Sequence, residues 1–385
     1  MSKRICAITT VEITQSNFMV PAMSRLKQNG WDVTLICNMS PEFMTRYQDE
    51  FNLINIPFHR GISISDLLFM PFRLARLFKK EKFNIVQYAT PNASLYASLG
   101  SKFAGVKHRV YCQWGIRYVG SRGIMRSVLR LLEKLTCASS TAIRPASKKN
   151  MEFAIADGLY KAEKAHIIGD GGSVGIDLAQ FDLNKKHTLR EQIYTEYPQL
   201  KDKTVFAFVG RLNVDKGIVE LLDAFTKLQN KYSQIALLLI GNFDGDLPIR
   251  LHGIRNNPDI IITGWIEDVP KYISAADVMV LPSYREGFSM VIQQAMAMAI
   301  PVITTDIPGP SEVIENGISG LLVQPKSTES LFNAMNWAVS HSKQCQMMGV
   351  SGRLRCETLF SRDRMLKLTL LDRENILKSG SFDKK

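Results

Sequence analysis

Short β-rich runs alternate with segments of helical periodicity along the whole chain, and this alternation limits the fold more than any other feature. In the first half, KRICAIT (3–9), DVTLIC (32–37), NLINIP (52–57), NIVQYA (84–89), HRVYCQ (108–113) and HIIG (166–169) read as strands. A polar stretch at 177–203 lacks a strand signal and reads as the linker. The pattern then restarts with TVFAFVG (204–210), IALLLIG (235–241), DIIITG (259–264), DVMVLP (277–282), PVITTD (301–306) and GLLV (320–323). Apolar strands separated by helices argue for parallel sheets covered by helices on both faces. Residues 21–30 read as a helix closed by Gly30, 217–228 as one with Ile218, Leu221, Leu222 and Phe225 on one face, and 360–378 as a last helix. A length of 385 residues also favours two domains. The expected architecture is α/β, with one domain at 1–185 and another at 186–359. Ligands of such sheets bind at the carboxyl ends of the strands, and the cleft between two of them is the natural site.

Composition removes other classes. With 45% hydrophobic and 22% charged residues the chain is neither disordered nor fibrous. The segment MSKRICAITTVEITQ reads as a first strand rather than a signal peptide. The six cysteines form no CxxC pair and no metal-ligand spacing, so they suit a reducing cytoplasm and no metal is expected. Charge is unevenly placed. Residues 1–190 hold 27 Lys and Arg against 14 Asp and Glu, a net of +13, whereas the remainder is close to neutral. A half this basic expects an anionic partner. Arg122, Arg126, Arg130 and Lys134 recur every four residues beside an apolar stripe of Met125, Val128, Leu129, Leu132 and Leu135. Residues 67–83 again mix bulky apolar side chains with Arg73, Arg76, Lys79, Lys80 and Lys82. Two readings stand: amphipathic helices with solvated basic faces, or docking onto an anionic membrane surface. No nucleic-acid motif accompanies the charge.

Two segments carry chemistry. After the strand at 204–210 comes GRLNVDKG and then a helix. Its glycines permit a close backbone approach, and Arg211 and Lys216 supply positive charge for a phosphate or diphosphate. The alternative is a common strand–turn–helix with an exposed Arg and Lys. The second segment, PSYREGFSM (282–290), places Glu286 at the carboxyl end of a strand. Gly287, Phe288 and Ser289 follow at a helix N-terminus, and Gln294 lies about two turns on. A carboxylate, free amides and a side-chain amide around one point suit a sugar and its phosphate. A Glu in a tight loop and a Gln on a solvated face is the bland alternative.

The order of FVGRLNVDKG, LLLIGN, the run from IITGWIEDV to TTDIPG, and EVIENGISGLLV resembles the donor-binding half of glycosyltransferase family 4. GWDVTLIC, NIVQYATPNAS, CQWGIRY and IIGDGGSVGIDLAQF resemble its first half more loosely. The resemblance implies the GT-B fold, two Rossmann-like domains facing each other across a deep cleft, with the C-terminal helix 360–378 crossing back to the first. It implies a retaining, metal-independent hexosyltransferase with no cofactor, using a nucleotide sugar, UDP-sugar favoured. Arg211 and Lys216 match the pair that holds the donor diphosphate, and Glu286 the first Glu of a Glu–seven residues–Glu motif. Gly287, Phe288 and Ser289 would present amides to sugar and phosphate, and Trp265 and Ile266 would border the base. The second Glu of the motif is here Gln294, which keeps hydrogen-bonding reach and loses the charge. The family's glycine loop after the first strand is absent, since 11–17 reads VEITQSN. Its first-domain His has no obvious counterpart, and the nearest segment is QWGIR (113–117). Asn17 and Arg117 are therefore the acceptor-side candidates.

Such relatives extend lipid-linked saccharides in surface polysaccharide synthesis. The expected partners are thus a nucleotide sugar, a lipid-linked acceptor and an anionic membrane face, at the inner side of which the protein would be peripheral. The competing expectations are a catalytically silent sugar-nucleotide-binding relative, which Gln294 keeps open, a GT-B nucleotide-sugar epimerase, and a basic nucleic-acid binder.

Overall fold

A computed structural model describes residues 3–59, 61, 63–245, 254 and 256–379. The chain forms two compact units, Met1–Gly175 together with Asp363–Lys385, and Ile176–Arg362.

The first unit is built on β1 (Lys3–Val11), β2 (Trp31–Asn38), β3 (Asn52–Asn55), β4 (Ile85–Tyr88), β5 (His108–Gln113) and β6 (Ala142–Pro145). They pair in the order β3-β2-β1-β4-β5-β6, all parallel. Successive side chains of a strand leave on opposite faces. Ile5 and Ala7 therefore pack with Val20, Met23 and Leu26, while Cys6 and Ile8 pack with Leu74, Tyr96 and Cys137 on the other side. The strand expected at 166–169 is not formed: Ala165 makes an isolated bridge to Ile143, and Ala142–Pro145 is the sixth strand instead. Arg144 and Pro145 break its apolar pattern. Proline is tolerated because β6 is the edge strand, and Arg144 turns to an ion pair with Asp372 at 2.8 Å. The segment VEITQSN after β1, which stands where the family's glycine loop would, is helical from Glu12 onward. Buried Gln15 anchors it, bonding Thr9 at 2.7 Å and the Ala7 carbonyl at 3.2 Å.

The C-terminal helix runs Arg362–Ser379, after a wide turn at Cys356–Phe360. Its Arg373 is 1% exposed and donates to Gln87 at 2.7 Å, and Glu374 pairs with Lys3 at 2.9 Å. The junction between units lies at Gly175/Ile176 rather than 185/186. The reason is pairing: Ile176 bridges Ser361 and bonds the Phe360 carbonyl at 2.8 Å, inside the second unit.

That unit contains β7 (Thr204–Val209), β8 (Ile235–Ile240), β9 (Ile260–Gly264), β10 (Val278–Leu281), β11 (Val302–Thr305) and β12 (Gly320–Val323). Their order, β12-β11-β10-β7-β8-β9, repeats that of the first sheet. Each unit is thus a doubly wound, Rossmann-like sheet. All six cysteines are free and buried.

A buried carboxylate on a helix beside β5 marks the first unit. Glu133, in the helix Gly123–Ser139, accepts from Gln113 at 2.7 Å and from the Tyr111 hydroxyl at 3.0 Å. Burial holds its carboxyl above the usual range, against the opposing effect of those two bonds. The folded chain then keeps a proton that the unfolded chain has released. Stability should fall as pH rises from the ordinary carboxylate value toward the raised folded one. Glu133→Gln, whose amide serves the same partners, should flatten that slope. Urea titrations from about pH 4 to 8 would refute this if the variant kept the wild-type slope.

Candidate functional site

In the second sheet the chain order reverses between β7 and β10, which lie side by side. Connections from two such strands diverge, and the crevice outside their carboxyl ends is where ligands of doubly wound sheets bind. GRLNVDKG leaves β7 and PSYREGFSM leaves β10, so both chemistry-bearing segments open onto this point.

Two glycines let the segments close up. Gly217 has φ +71°, and a Cβ there would stand 2.1 Å from the Pro282 carbonyl oxygen. Gly309 has φ +93°, and its Cβ would fall 1.6 Å from the Gly287 carbonyl oxygen. Polar bonds complete the assembly: the Tyr284 amide donates to the Asp215 carbonyl at 2.9 Å, and the Thr305 hydroxyl to the Ser283 carbonyl at 2.6 Å.

Across the resulting crevice Lys216 Nζ meets Glu286 Oε1 at 2.5 Å. The Ser283 hydroxyl donates to the same oxygen at 2.9 Å. Their side chains are only 21% and 15% exposed, so the carboxylate is held in one orientation. Arg211 does not share that carboxylate. It pairs with Asp244, with side-chain exposures of 65% and 49%, and Asn213 donates to the same Asp244 oxygen at 3.1 Å. Ser289 caps the helix Met290–Ala297 through its side chain, while Phe288 turns inward to a T-shaped contact with Phe360 at 5.4 Å. The backbone N–H groups of Gly287, Phe288 and Ser289 donate to no acceptor among the described residues. Gln294 is half-buried, and its side chain likewise makes no hydrogen bond among them. Trp265 and Ile266 follow the edge strand β9, Trp265 being 64% exposed. Beside them a concavity of about 510 Å³ is lined by Gly241, Asn242, Phe243, Ile262 and Thr263. No hydrogen bond or ring contact ties Trp265 or Ile266 to the Lys216–Glu286 pair among the described residues.

At the carboxyl end of the first sheet, Asn17 and Arg117 are both exposed, in the turns Gln15–Met19 and Arg117–Gly120. Rings of Phe18 and Trp114, 5.2 Å apart, join the first turn to the segment that leads from β5 into the second. Sequence reasoning missed a second group here. His59 Nδ1 lies 2.8 Å from the Asp66 carboxylate, and Asn92 donates to the His59 carbonyl at 2.9 Å. Thr90 adopts φ +68°, ψ +143°, a region strained for any β-branched residue, and its hydroxyl oxygen lies 2.7 Å from that of Thr10. The only sequence signal was Thr90 preceding Pro91. His59 stands in a loop without a motif.

Two doubly wound sheets, with a cation–carboxylate pair and free amides at the switch point of the second, define an α/β protein of paired Rossmann-like units. The family model of glycosyl transferases group 1 matches residues 190–355, and that of glycosyl transferase 4-like domains matches residues 4–147. The chain belongs to glycosyltransferase family 4, with the GT-B fold. It is 29% identical over 87% of its length to a capsular polysaccharide biosynthesis glycosyltransferase, CapM, of Staphylococcus aureus, covering 88% of that protein. It is 25% identical over 80% of its length to an Escherichia coli UDP-Gal:α-D-GlcNAc-diphosphoundecaprenol α-1,3-galactosyltransferase, again covering 80%. Among solved structures, Anabaena HepE in complex with UDP superposes with a TM-score of 0.77 at 17% identity, over 98% of this chain and 100% of that one.

The two cations predict different costs. Lys216→Ala leaves a mostly buried Glu286 with a hydroxyl as its neighbour, and should destabilise the fold by about 1–3 kcal/mol. Arg211→Ala breaks an exposed pair and should cost less than about 1 kcal/mol. Urea unfolding of both variants compares them directly, and equal small costs would mean that Lys216 does not hold Glu286 in place.

Proposed function

We propose that this chain is a retaining hexosyltransferase that moves a sugar from a UDP-sugar to a lipid-linked saccharide during surface polysaccharide synthesis. The observation that carries the reading is the Lys216–Glu286 pair at the switch point, next to three unused backbone amides. The named activities of the Staphylococcus and E. coli relatives support the polysaccharide and lipid-linked acceptor, and the UDP complex of HepE supports the nucleotide.

In this reading the amides of Gly287, Phe288 and Ser289 bind donor phosphate oxygens at the start of a helix. Arg211 joins them. Its exposed pairing with Asp244 is weak in water and is cheaply exchanged for a diphosphate. Lys216 stays beside Glu286, orients that carboxylate toward sugar hydroxyls, and adds positive potential where the leaving diphosphate gathers charge. No metal or cofactor is required for that electrostatic role, and Gln294 bonds ribose hydroxyls without a charge. Trp265 and Ile266 border the base. On the acceptor side, the turns of Asn17 and Arg117 hold the incoming saccharide. The bond to the anomeric carbon forms on the face from which the diphosphate leaves, and a donor phosphate oxygen takes the acceptor's proton. No protein nucleophile is assigned. A lipid-linked acceptor places the enzyme at the inner membrane face, as a peripheral protein.

Thermal-shift measurements against UDP, GDP, ADP and their sugar conjugates test this. UDP at a hundred times its Kd should stabilise the protein by about 2.7 kcal/mol. Arg211→Ala and Lys216→Ala should abolish the shift, and turnover should survive EDTA. Silence toward every nucleotide from a folded protein would reject the reading. Gln294 sustains a second reading, that of a silent sugar-nucleotide-binding relative. Gln294→Glu should leave UDP stabilisation within about tenfold in Kd, or about 1.4 kcal/mol. Turnover appearing only in that variant would establish the second reading.

A further inference from the structure

The C-terminal helix and the edge of the first sheet enclose two guanidinium groups that share one carboxylate. Arg373 comes from the helix, with its side chain 2% exposed, and Arg144 comes from β6, at 11%. Arg144 donates to one Asp372 oxygen at 2.8 Å, and Arg373 holds the other. Burial opposes the ionisation of Asp372, but the two guanidinium groups prevail and hold its carboxyl below the usual range. Arginine cannot shed its charge in a protein. The cluster thus carries two positive charges against one negative. No other acid pairs with Arg144 or Arg373 among the described residues.

The remaining donors of Arg373 are poorly served. Its Nε bonds Gln87 at 2.7 Å, but Nη2 reaches only the Cys112 sulfur, at 3.8 Å, a weak acceptor. Burial pushes the Cys112 thiol up despite the two arginines, so it stays protonated and supplies no negative charge. These groups line one cavity of about 30 Å³, bounded by Gln87, Cys112, Trp114, Arg144, Thr369 and Arg373. That is room for one water or one ion of similar size, and not for a sugar or a nucleotide. Thr369 stands one turn before Arg373 on the same face of the helix. It is 4% exposed, and its hydroxyl has no hydrogen-bond partner. A water in the cavity would serve that hydroxyl and leave the surplus charge buried, which is the costlier of the two defects.

We propose that this cavity binds one small monovalent anion, of the size of chloride, between Arg144, Arg373 and the Thr369 hydroxyl. A single negative charge brings the cluster to neutrality. It also gives the Thr369 hydroxyl and the underused Arg373 Nη2 a strong acceptor, since hydrogen bonds to an ionised partner are about twice as strong as neutral ones. The ion ties the C-terminal helix, through Thr369 and Arg373, to β6 through Arg144, and so acts as a structural ion of the first unit. Larger oxyanions do not fit the volume. The inference goes beyond the transferase reading and does not depend on it.

Thermal unfolding of the full chain at fixed ionic strength, with sodium gluconate replaced stepwise by sodium chloride, tests it. Chloride should stabilise the protein as ln(1 + c/Kd), with c its concentration, whereas gluconate is too large for the cavity. Arg144→Gln leaves Arg373 and Asp372 as a neutral pair and should remove the chloride response. Asp372→Asn leaves two cations and should tighten Kd by about tenfold or more. Thr369→Val keeps every charge. It should melt no lower than the wild type in gluconate and should weaken chloride binding by roughly two- to tenfold. A cluster that only braces the fold would lower Tm in both charge variants and leave their chloride response like that of the wild type. Diffraction from wild-type crystals grown in bromide needs no variant, and one anomalous peak should stand between Arg144, Arg373 and Thr369. A water at that place, a chloride response indistinguishable from that of gluconate, or one that survives Arg144→Gln would overturn the proposal.

Discussion

The reversal of strand order between β7 and β10 is the constraint on which the candidate site depends. A parallel sheet that grows first to one side of β7 and then to the other must send the two connections apart, and no backbone fills the space between them. What closes it is side-chain and loop chemistry. Gly217 and Gly309 lack the Cβ atoms that would collide with the carbonyls of Pro282 and Gly287, so the loops can approach. Lys216 and Glu286, from opposite sides of the crevice, then meet across it. The pair comes from segments that are 70 residues apart, and only the sheet makes them neighbours.

Electrostatics divides the roles of the cations. Lys216 is shielded from water, so its bond to Glu286 is strong enough to orient the carboxylate and too strong to be surrendered lightly. Arg211 is open to solvent, and its pairing with Asp244 is an exchangeable one. The first unit shows the same logic in a structural role. Arg373 is buried against Gln87 and Asp372, and Arg144 reaches that same Asp372. A buried charge without a partner would be strongly destabilising. The C-terminal helix is therefore held in one register on the first sheet although it is far from it in sequence.

Much of the fold was legible because a strand buried on both faces is apolar, as β8 and β10 are along their whole length, and the sequence marks eleven of the twelve strands. The exception, β6, is an edge strand with Arg144 and Pro145 in it, and edges tolerate residues that a central strand excludes. HIIG has the apolar composition of a strand but no neighbour beyond an isolated bridge at Ala165. The helical turn at 12–19 was hidden because its anchor is the folded-back side chain of Gln15 rather than an apolar stripe.

The sequence by itself determined the class of fold, the residues available to the second-sheet site and the basic character of the first half, since composition, glycine placement and local periodicity are properties of neighbours along the chain. The tertiary structure alone decided which charges meet. It joined Lys216 to Glu286 and Arg211 to Asp244, and it oriented His59 on Asp66. It also turned Ile124, Val128 and Leu131 outward from a helix whose periodicity allowed either face. Hydrophobic spacing tells that a helix has an apolar side, but when apolar residues cover more than one side, only the packing of Pro91–Phe103 against its neighbours selects which of them water is left to face.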